Sequence, residues 1–158
     1  MSAISTVWDV ANARGDWALV RGAAPGGAPL ALTLQSGNDL ETAVLLSLFT
    51  DRLANPDDEI PDGTSDRRGW WGDLAEASPI GSRLWLLDRA KLTQETAARA
   101  RDYALEALQW LIDDGVVASV DVATQITFPA MLGLQVVLRR QDGTRLALNY
   151  SWAWTGVT

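Results

Sequence analysis

The sequence predicts an α+β domain in which two main helices pack on a mostly antiparallel β-sheet, with an N-terminal β-hairpin and a long Trp-containing loop. Two segments near the middle of the chain repeat apolar residues with the spacing of a helix. Residues 116–152 instead alternate apolar and polar side chains with the period of a strand. The length of 158 residues suits one domain. The predicted order is β-β-α-loop-α-β-β-β.

Residues 1–36 are predicted to form the N-terminal hairpin segment of a single domain that spans residues 1–158. Asp16–Val20 and Pro29–Leu34 have the apolar content of short strands. The residues between them, 21–28, are rich in Gly and Pro, as expected of a flexible hairpin loop. Residues 38–158 then form the core of the domain.

The first helix is predicted to begin after Asn38, which suits an N-cap, with Glu41 placed to complete a capping box. Apolar residues recur at every fourth position, at Leu40, Val44 and Leu48. We expect the helix to end near Ala54, because Asn55-Pro56 disfavours further helix.

Residues 57–73 are too rich in Pro, Gly and charge to form regular structure, yet they include the pair Trp70-Trp71. Long loops in compact domains are usually functional or disordered. The chain has 8 Trp against 2 Tyr and 2 Phe, and Trp is enriched at interface hot spots. We therefore interpret this segment as a contact loop.

The second helix is predicted to begin after Thr93, with Glu95 in its first turn, and to end before Gly115. Its apolar stripe consists of small residues and leucines, at Ala97, Ala100, Ala104, Ala107, Leu108 and Leu111. Alanine favours the helix and permits close packing.

Three strands are predicted to follow, over Val116–Val122, Leu132–Leu138 and Leu146–Trp152. A two-residue loop at Asp142-Gly143 would place the apolar rows of the last two strands on opposite faces of the sheet. A three-residue bulged loop with Gly143 left-handed instead pairs Arg140 with Thr144. This register brings together Leu138 with Leu146, Val136 with Leu148, Leu134 with Tyr150, and Leu132 with Trp152.

The composition excludes several classes of function. Acidic residues outnumber basic ones 20 to 13, and the net charge of −7 argues against broad contact with nucleic acid or an anionic membrane. The chain has no Cys and no His, which excludes thiol chemistry, a serine–histidine triad and imidazole metal ligands. The first ten residues lack the pattern of a signal peptide, so we expect a soluble protein made in a cytoplasm.

Carboxylates are the only plausible catalytic acids, and the candidates for a glycosidase pair are Glu59, Asp62, Asp73 and Glu76. Charged residues in a polar loop are usually solvated, which favours a non-catalytic interpretation. The acidic run Asp57-Asp58-Glu59 with Asp62 matches no calcium-loop signature, and no glycine pair forms a phosphate loop. The sequence therefore predicts no metal and no cofactor.

Arg67 and Arg68 precede Trp70 and Trp71, and a cation beside an aromatic ring can stack on nucleobases. The same four residues are also the composition of a protein–protein hot spot. The acidic net charge favours the second interpretation.

Several segments together resemble the Mu-type phage baseplate wedge family. They are the helix at Leu40–Leu53, the acidic loop at Asp57–Asp66, Arg-Arg-Gly-Trp-Trp-Gly-Asp at 67–73, Ser78–Leu87, Ala104–Leu111 and the closing Trp152-Ala153-Trp154. The resemblance covers residues 38–154. The family is related to the small wedge protein, or sheath initiator, of other contractile tails and of type VI secretion baseplates.

The resemblance implies a structural, non-catalytic α+β subunit of the virion that is present in the host cytoplasm before assembly. The implied partners are other wedge subunits, the first ring of tail sheath, which would add strands to a sheet edge, and the tail tube or spike hub. It implies no nucleic-acid or membrane partner. The broader family often carries a lysozyme-like label, and a peptidoglycan-degrading glycosidase remains the alternative function.

One motif of the broader family is missing. Relatives carry Glu-Pro-Arg just after the second helix, whereas Asp113-Asp114-Gly115 stands there in this chain. The grip on the wedge would then be made differently, for example by Arg67, Arg68 and the tryptophans. The residues predicted to bind partners are Arg67, Arg68, Trp70, Trp71, Asp113, Asp114, Tyr150, Trp152 and Trp154.

Overall fold

The computed structural model describes residues 6–9, 14–17, 19–22, 31–34, 39–75, 79–127 and 130–153. The chain separates into two compact units, Met1–Leu45 and Leu46–Thr158. The division between the two units falls inside the first helix and not at residue 36. The predicted organisation, a single domain whose N-terminal segment covers residues 1–36, therefore stays a prediction.

The described residues of the first unit include four short strands: β1 (Thr6–Asp9), β2 (Arg14–Trp17), β3 (Leu19–Gly22) and β4 (Ala31–Leu34). Strand β1 pairs with β2 and β3 pairs with β4, both antiparallel. The single strand predicted over residues 16–20 was wrong, since Asp16 and Trp17 belong to β2 whereas Leu19 and Val20 belong to β3, which has a different partner. The loop that would join β3 to β4 lies outside the described residues, so the N-terminal hairpin stays a prediction.

Helix α1 spans Asp39–Phe49, and the predicted cap Asn38 lies outside the described residues. Val44 and Leu48 are buried, which confirms the apolar stripe. The helix does not continue to Ala54, because its next residues form backbone hydrogen bonds elsewhere. Ser82 N–H donates to Thr50 O at 2.9 Å, and Arg52 N–H donates to Ser82 O at 3.0 Å. This tertiary pairing replaces the last predicted turn of helix.

Helix α2 spans Gln94–Asp113 and confirms the predicted ends. Thr93 Oγ1 accepts the N–H of Thr96 at 3.2 Å, which satisfies one free donor of the first turn. Gly115 has a φ of +70°, the left-handed conformation common after a helix. The residues of the predicted stripe are all 4% exposed or less: Ala97, Ala100, Ala104, Ala107, Leu108 and Leu111.

A three-stranded antiparallel sheet follows in the order β5 (Ser119–Thr127), β6 (Met131–Arg139) and β7 (Arg145–Ala153). Strand β5 begins later than the predicted Val116 and runs past Val122. Val117 instead caps the end of the helix, because it is buried and donates its N–H to Leu111 O at 3.0 Å. Free helix carbonyls need such donors.

The bulged turn between β6 and β7 is confirmed. Arg140 N–H donates to Thr144 O at 2.9 Å, and Gly143 N–H donates to Arg140 O at 3.0 Å. Gly143 is left-handed, with a φ of +83°. The four predicted cross-strand pairs, from Leu138–Leu146 to Leu132–Trp152, all occur.

The inner face of β6 forms the centre of the second unit's core, and α2 packs along β5. Leu132, Leu134, Val136 and Leu138 are at most 2% exposed. Each such side chain contributes roughly 1.5–3 kcal/mol to folding by leaving water. In the part of the chain that the structure describes, no helix is both long and apolar enough to span a bilayer.

Candidate partner-binding site

The segments before and after the Trp-containing loop are joined by backbone hydrogen bonds between residues 50–52 and Ser82, next to Gly81. This glycine has a φ of +97°, and a Cβ there would lie 2.4 Å from Thr50 O. Only glycine therefore permits the close approach in which residues 50–52 pair with Ser82. The Ser82 hydroxyl also donates to Leu48 O. The loop thus starts from a fixed point at the end of α1.

The acidic part of the loop is closed at a neck formed by Ala54 and Arg67. Ala54 N–H donates to Arg67 O at 3.0 Å, and the Arg67 guanidinium donates back to Ala54 O, with its Nε at 2.8 Å. Ala54 is 1% exposed, so the neck is buried on one side. A loop whose ends are hydrogen-bonded to each other in this way forms a compact unit.

Hydrogen bonds within the acidic loop fix its turns. Thr64 donates its N–H and its hydroxyl to Asp62 Oδ1, at 3.0 and 2.7 Å. These bonds hold the pKa of Asp62 below its usual value of 3.8. Asp66 Oδ1 in turn accepts the N–H of Arg68 at 2.8 Å, so the loop leads directly into the next cluster.

Arg68 is held between two carboxylates and an indole ring. Its Nη1 lies 2.8 Å from Asp51 Oδ2 and 3.8 Å from Asp88 Oδ2. Its guanidinium carbon lies 4.5 Å from the centre of the Trp85 ring, a cation–π contact. Burial raises the pKa of Asp88, and the charge of Asp51 acts in the same direction, against the attraction of Arg68.

The backbone of Arg68 is left-handed, with a φ of +51°. A non-glycine residue in this region is uncommon and costs about 1–2 kcal/mol. The ion pair to Asp51 and the Trp85 contact offset this cost. This left-handed conformation changes the direction of the backbone just before Trp70 and Trp71.

Trp85 forms the floor of the site and is only 4% exposed. Its Nε1–H donates to Arg52 O at 2.8 Å. With Ala54 and Leu86 it forms a small buried cluster. Trp85 is therefore a core residue, whereas Trp70 and Trp71 are exposed.

Trp70 and Trp71 are exposed by 43% and 80%, with their ring centres 5.5 Å apart and tilted by 48°. The Trp70 ring lies against Gly72, where a Cβ would come within 2.3 Å of it. Trp71–Ala75 forms a 3₁₀ turn, which corrects the prediction that the whole segment to Asp73 is irregular. Two adjacent, exposed tryptophan rings held in this way are unusual on the surface of a soluble protein.

Asp73 fixes the far end of the loop. Its Oδ1 and Oδ2 accept the N–H of Ile80 at 3.1 and 3.2 Å. Asp73 N–H also donates to Trp70 O at 3.0 Å. Both tryptophans therefore sit on backbone that is tied at each side, along a groove that includes Leu53, Asn55 and Pro79.

A partly buried ion network attaches the acidic loop to α2. Arg83 Nη1 lies 2.9 Å from Asp58 Oδ2, and its Nε lies 3.0 Å from Glu106 Oε2. The guanidinium also stacks over Tyr103, at 4.8 Å from the ring centre. Burial opposes the charge of Arg83, but the hydrogen bonds that its guanidinium donates to Asp58 and Glu106, together with the charges of both carboxylates, outweigh burial and raise the pKa of Arg83.

The structure brings together four of the predicted partner-binding residues, namely Arg67, Arg68, Trp70 and Trp71, around one groove. Of these, Arg67 and Arg68 are engaged inside the chain, so the free contact surface belongs to the tryptophans. The indoles are the candidate anchors and the arginines support them.

The other predicted residues lie elsewhere. Asp113 and Asp114 are exposed at the end of α2, and Asp113 accepts the amide of Gln109 at 2.9 Å. Tyr150 is 5% exposed and packs edge-on against Phe49, so its ring is part of the core. Trp152 is a β7 residue paired with Leu132, and Trp154 lies outside the described residues.

The carboxylates considered for a glycosidase have separate roles. Glu59 is exposed, Asp62 bonds Thr64, Asp73 bonds the backbone of Ile80, and Glu76 lies outside the described residues. In the ranges that the structure describes, no group of three or more acidic residues is arranged to hold a metal ion.

Sequence reasoning missed the partners that build the site. Asp51, Asp88 and Trp85 surround Arg68 although each of them is distant from it along the chain. Gly81 carried only a weak signal, since a glycine can mark a close approach of two backbones. No local pattern could have identified the Asp58–Arg83–Glu106 network.

Comparisons with known proteins bear on the chain as a whole. Residues 40–145 match the family described as Phage protein GP46. Baseplate protein gp46 of Escherichia phage Mu is 44% identical over 126 residues, which are 80% of this chain and 87% of that protein. Mu-like prophage FluMu protein gp46 of Haemophilus influenzae is 35% identical over 119 residues, which are 75% of this chain and 81% of that protein.

Proposed function

Because this chain belongs to the phage protein GP46 family, we propose that it is a structural subunit of a phage tail baseplate that bridges wedge proteins and nucleates the sheath. Its relative in phage Mu is a baseplate protein, which makes this chain a baseplate-type structural protein of the virion with other baseplate components as partners. The finer roles, wedge bridging and sheath nucleation, rest on the surfaces described above.

The exposed tryptophan pair carries the docking part of the proposal. Trp71 is 80% exposed and Trp70 is 43% exposed, although both are held on tied backbone. Burying such rings against a partner is favourable, and their order in the free protein lowers the entropy lost on binding. A wedge subunit is the partner that fits the implied role.

The edge of the sheet supports the sheath part of the proposal. Strand β7 lies at one edge of the described three-stranded sheet. Arg140 and Thr144 form a hydrogen-bonded pair, and hydrogen-bonded pairs alternate with non-hydrogen-bonded pairs along an antiparallel ladder. Ala147 and Asn149 are therefore in non-hydrogen-bonded pairs, and their N–H groups point away from β6. An open strand edge of this kind can accept a strand from another chain.

A substitution at Ala147 tests the sheath role. Ala147→Pro removes an outward N–H and leaves the bonds to β6 intact, a position at which an edge strand tolerates proline. Ala147→Val keeps the N–H and enlarges the side chain. We expect particles with the proline variant to form baseplates that lack sheath, as seen by electron microscopy, and particles with the valine variant to carry sheath. Normal sheath on the proline variant would contradict this role.

Membership of the baseplate has its own test. Deleting the gene from a phage that encodes this chain should abolish contractile tails, and the wild-type gene supplied in trans should restore them. Mass spectrometry of purified tails should then detect the chain. Tails that assemble normally without it would contradict the proposed function.

A further inference from the structure

The hairpin between β6 and β7 carries a cluster of arginines that neither the fold nor the tryptophan site uses. We call Arg139, Arg140 and Arg145 the arginine tip; all three are exposed. Arg139 and Arg145 stand directly opposite each other in the antiparallel register. Arg140 follows at the start of the turn.

The register places the two opposed arginines unusually close. Arg140 N–H bonds to Thr144 O, so the neighbouring pair Arg139–Arg145 is a non-hydrogen-bonded pair, in which Cα atoms lie about 4.5 Å apart. Both side chains project from the outer face of the sheet, opposite to the face that carries the buried Leu138 and the half-buried Leu146. Like charges directly opposite each other destabilise a sheet.

In the described residues no carboxylate forms an ion pair with Arg139 or Arg145, although Arg140 and the nearby Asp142 attract each other. None of the three arginines has an acidic group within ion-pair distance among those residues. Asp142, in the same turn, accepts the N–H and the hydroxyl of Thr144. Asp121, the nearest acidic residue on the outer face, is opposite Val137, one row away from the pair.

The cluster also stands against the charge of the whole chain, which is −7. Among the described residues of the second unit, Arg68 and Arg83 pair with carboxylates of the chain itself. A concentrated positive tip on an acidic protein is a local complement for a negative surface.

We propose that the arginine tip is a binding site for a carboxylate-rich segment of a partner protein. Guanidinium groups bind carboxylates through paired hydrogen bonds, and two adjacent guanidiniums suit a run of Asp or Glu. A nucleic acid is the less suitable occupant, because its long line of phosphates would meet the acidic remainder of the chain. The bound carboxylates would also remove the repulsion between Arg139 and Arg145.

The test measures binding of two probes to the full-length chain by fluorescence anisotropy, at low and at high salt. One probe is a short polyglutamate peptide and the other is an oligothymidylate of the same length. Arg139→Gln with Arg145→Gln removes the opposed pair. The control, Arg89→Gln with Arg101→Gln, removes the same charge from exposed arginines that have no ion-pair partner among the described residues.

We expect the peptide to bind the wild type and to bind the tip variant about tenfold more weakly, as the loss of charge-assisted bonds predicts. The control should bind like the wild type, and the tip variant should unfold at the same or a higher temperature, which shows that it folds. No binding to the wild type, an equal loss in the control, or tighter binding of the oligothymidylate through the same arginines would overturn the proposal. Because the isolated chain is used, this outcome is independent of the baseplate assignment.

Discussion

The ring of Trp70 occupies the space in which Gly72 would carry a side chain. A Cβ on Gly72 would lie 2.3 Å from two atoms of the indole. The glycine therefore sets the position of the ring, and through it the tilt between Trp70 and Trp71. A residue with no side chain thus shapes the most exposed apolar surface of the described chain.

Gly72→Ala should displace the Trp70 ring while the fold survives, because the ring is already 43% exposed and little burial is lost. The coupled circular-dichroism signal of the two adjacent indoles should weaken, as it should in Trp71→Leu, which removes one ring. The free energy of unfolding should change by no more than about 1 kcal/mol. An unchanged indole signal in Gly72→Ala would show that the ring tolerates the methyl group.

Gly81 should be far less tolerant than a glycine in an open turn. Gly81→Ala combines a φ of +97° with a 2.4 Å clash against Thr50 O, and we expect a loss of about 3 kcal/mol or more. Gly143→Ala, with a φ of +83° and no neighbour within 4 Å, should lose only about 1–2 kcal/mol. Urea unfolding of both variants makes the comparison, and equal losses would mean that the close approach is not needed.

Arg83→Met should destabilise the second unit by about 3 kcal/mol, because it leaves Asp58 and Glu106 without their cation in a partly buried site. Arg99→Met is the control, since Arg99 is exposed and, among the described residues, its polar and cation–π contacts are with the hydroxyl and the ring of Tyr103. Its cost should be below about 0.5 kcal/mol. Urea unfolding that gave the two variants the same stability would contradict the role of the network.

The raised pKa of Arg83 also predicts the pH range in which the stability that this network contributes does not change. A cation whose folded pKa lies above its unfolded pKa stabilises the fold fully below the unfolded pKa, and this effect is lost only as pH rises through the folded pKa. The guanidinium should therefore add no slope to stability between about pH 5 and 9.

Asp142 supplies an effect of the opposite sign at acid pH. The hydroxyl and the N–H of Thr144 hold the pKa of Asp142 below 3.8, so its stabilisation is present above that value and is lost as pH falls through the folded pKa. Thr144→Val removes the hydroxyl bond and should raise the pKa of Asp142 toward 3.8 in a carbon-detected NMR titration. Thr64→Val should shift the pKa of Asp62 in the same way and leave Asp142 unchanged.

The elements that local patterns determine were predictable from the sequence. Thr93, the alanine stripe and Gly115 fix α2 because capping and spacing act within a few residues. The bulged turn at Gly143 was predictable because a shift of one residue would move a whole apolar row to the wrong face. In both cases the decisive interactions lie close together along the chain.

The rest depends on distant partners. Helix α1 ends at Phe49 because Thr50 and Arg52 pair with Ser82, which no local signal indicates. Strand β5 begins late because Val117 bonds the end of α2. The candidate site was recognisable from its tryptophans and arginines, but the roles of Asp51 and Trp85 could not be assigned before the chain was folded.

The central claim is that the exposed tryptophan pair anchors this subunit in the baseplate, and its most direct test is the amount of the chain recovered in purified tails. Trp70→Ala with Trp71→Ala is compared with Leu46→Ala, which removes another exposed apolar side chain, and both variants are checked for an unchanged unfolding temperature. Quantitative mass spectrometry should find the tryptophan variant depleted about tenfold or more, as the loss of a hot spot predicts, and the leucine variant near the wild-type amount. Full incorporation of the tryptophan variant would contradict the claim.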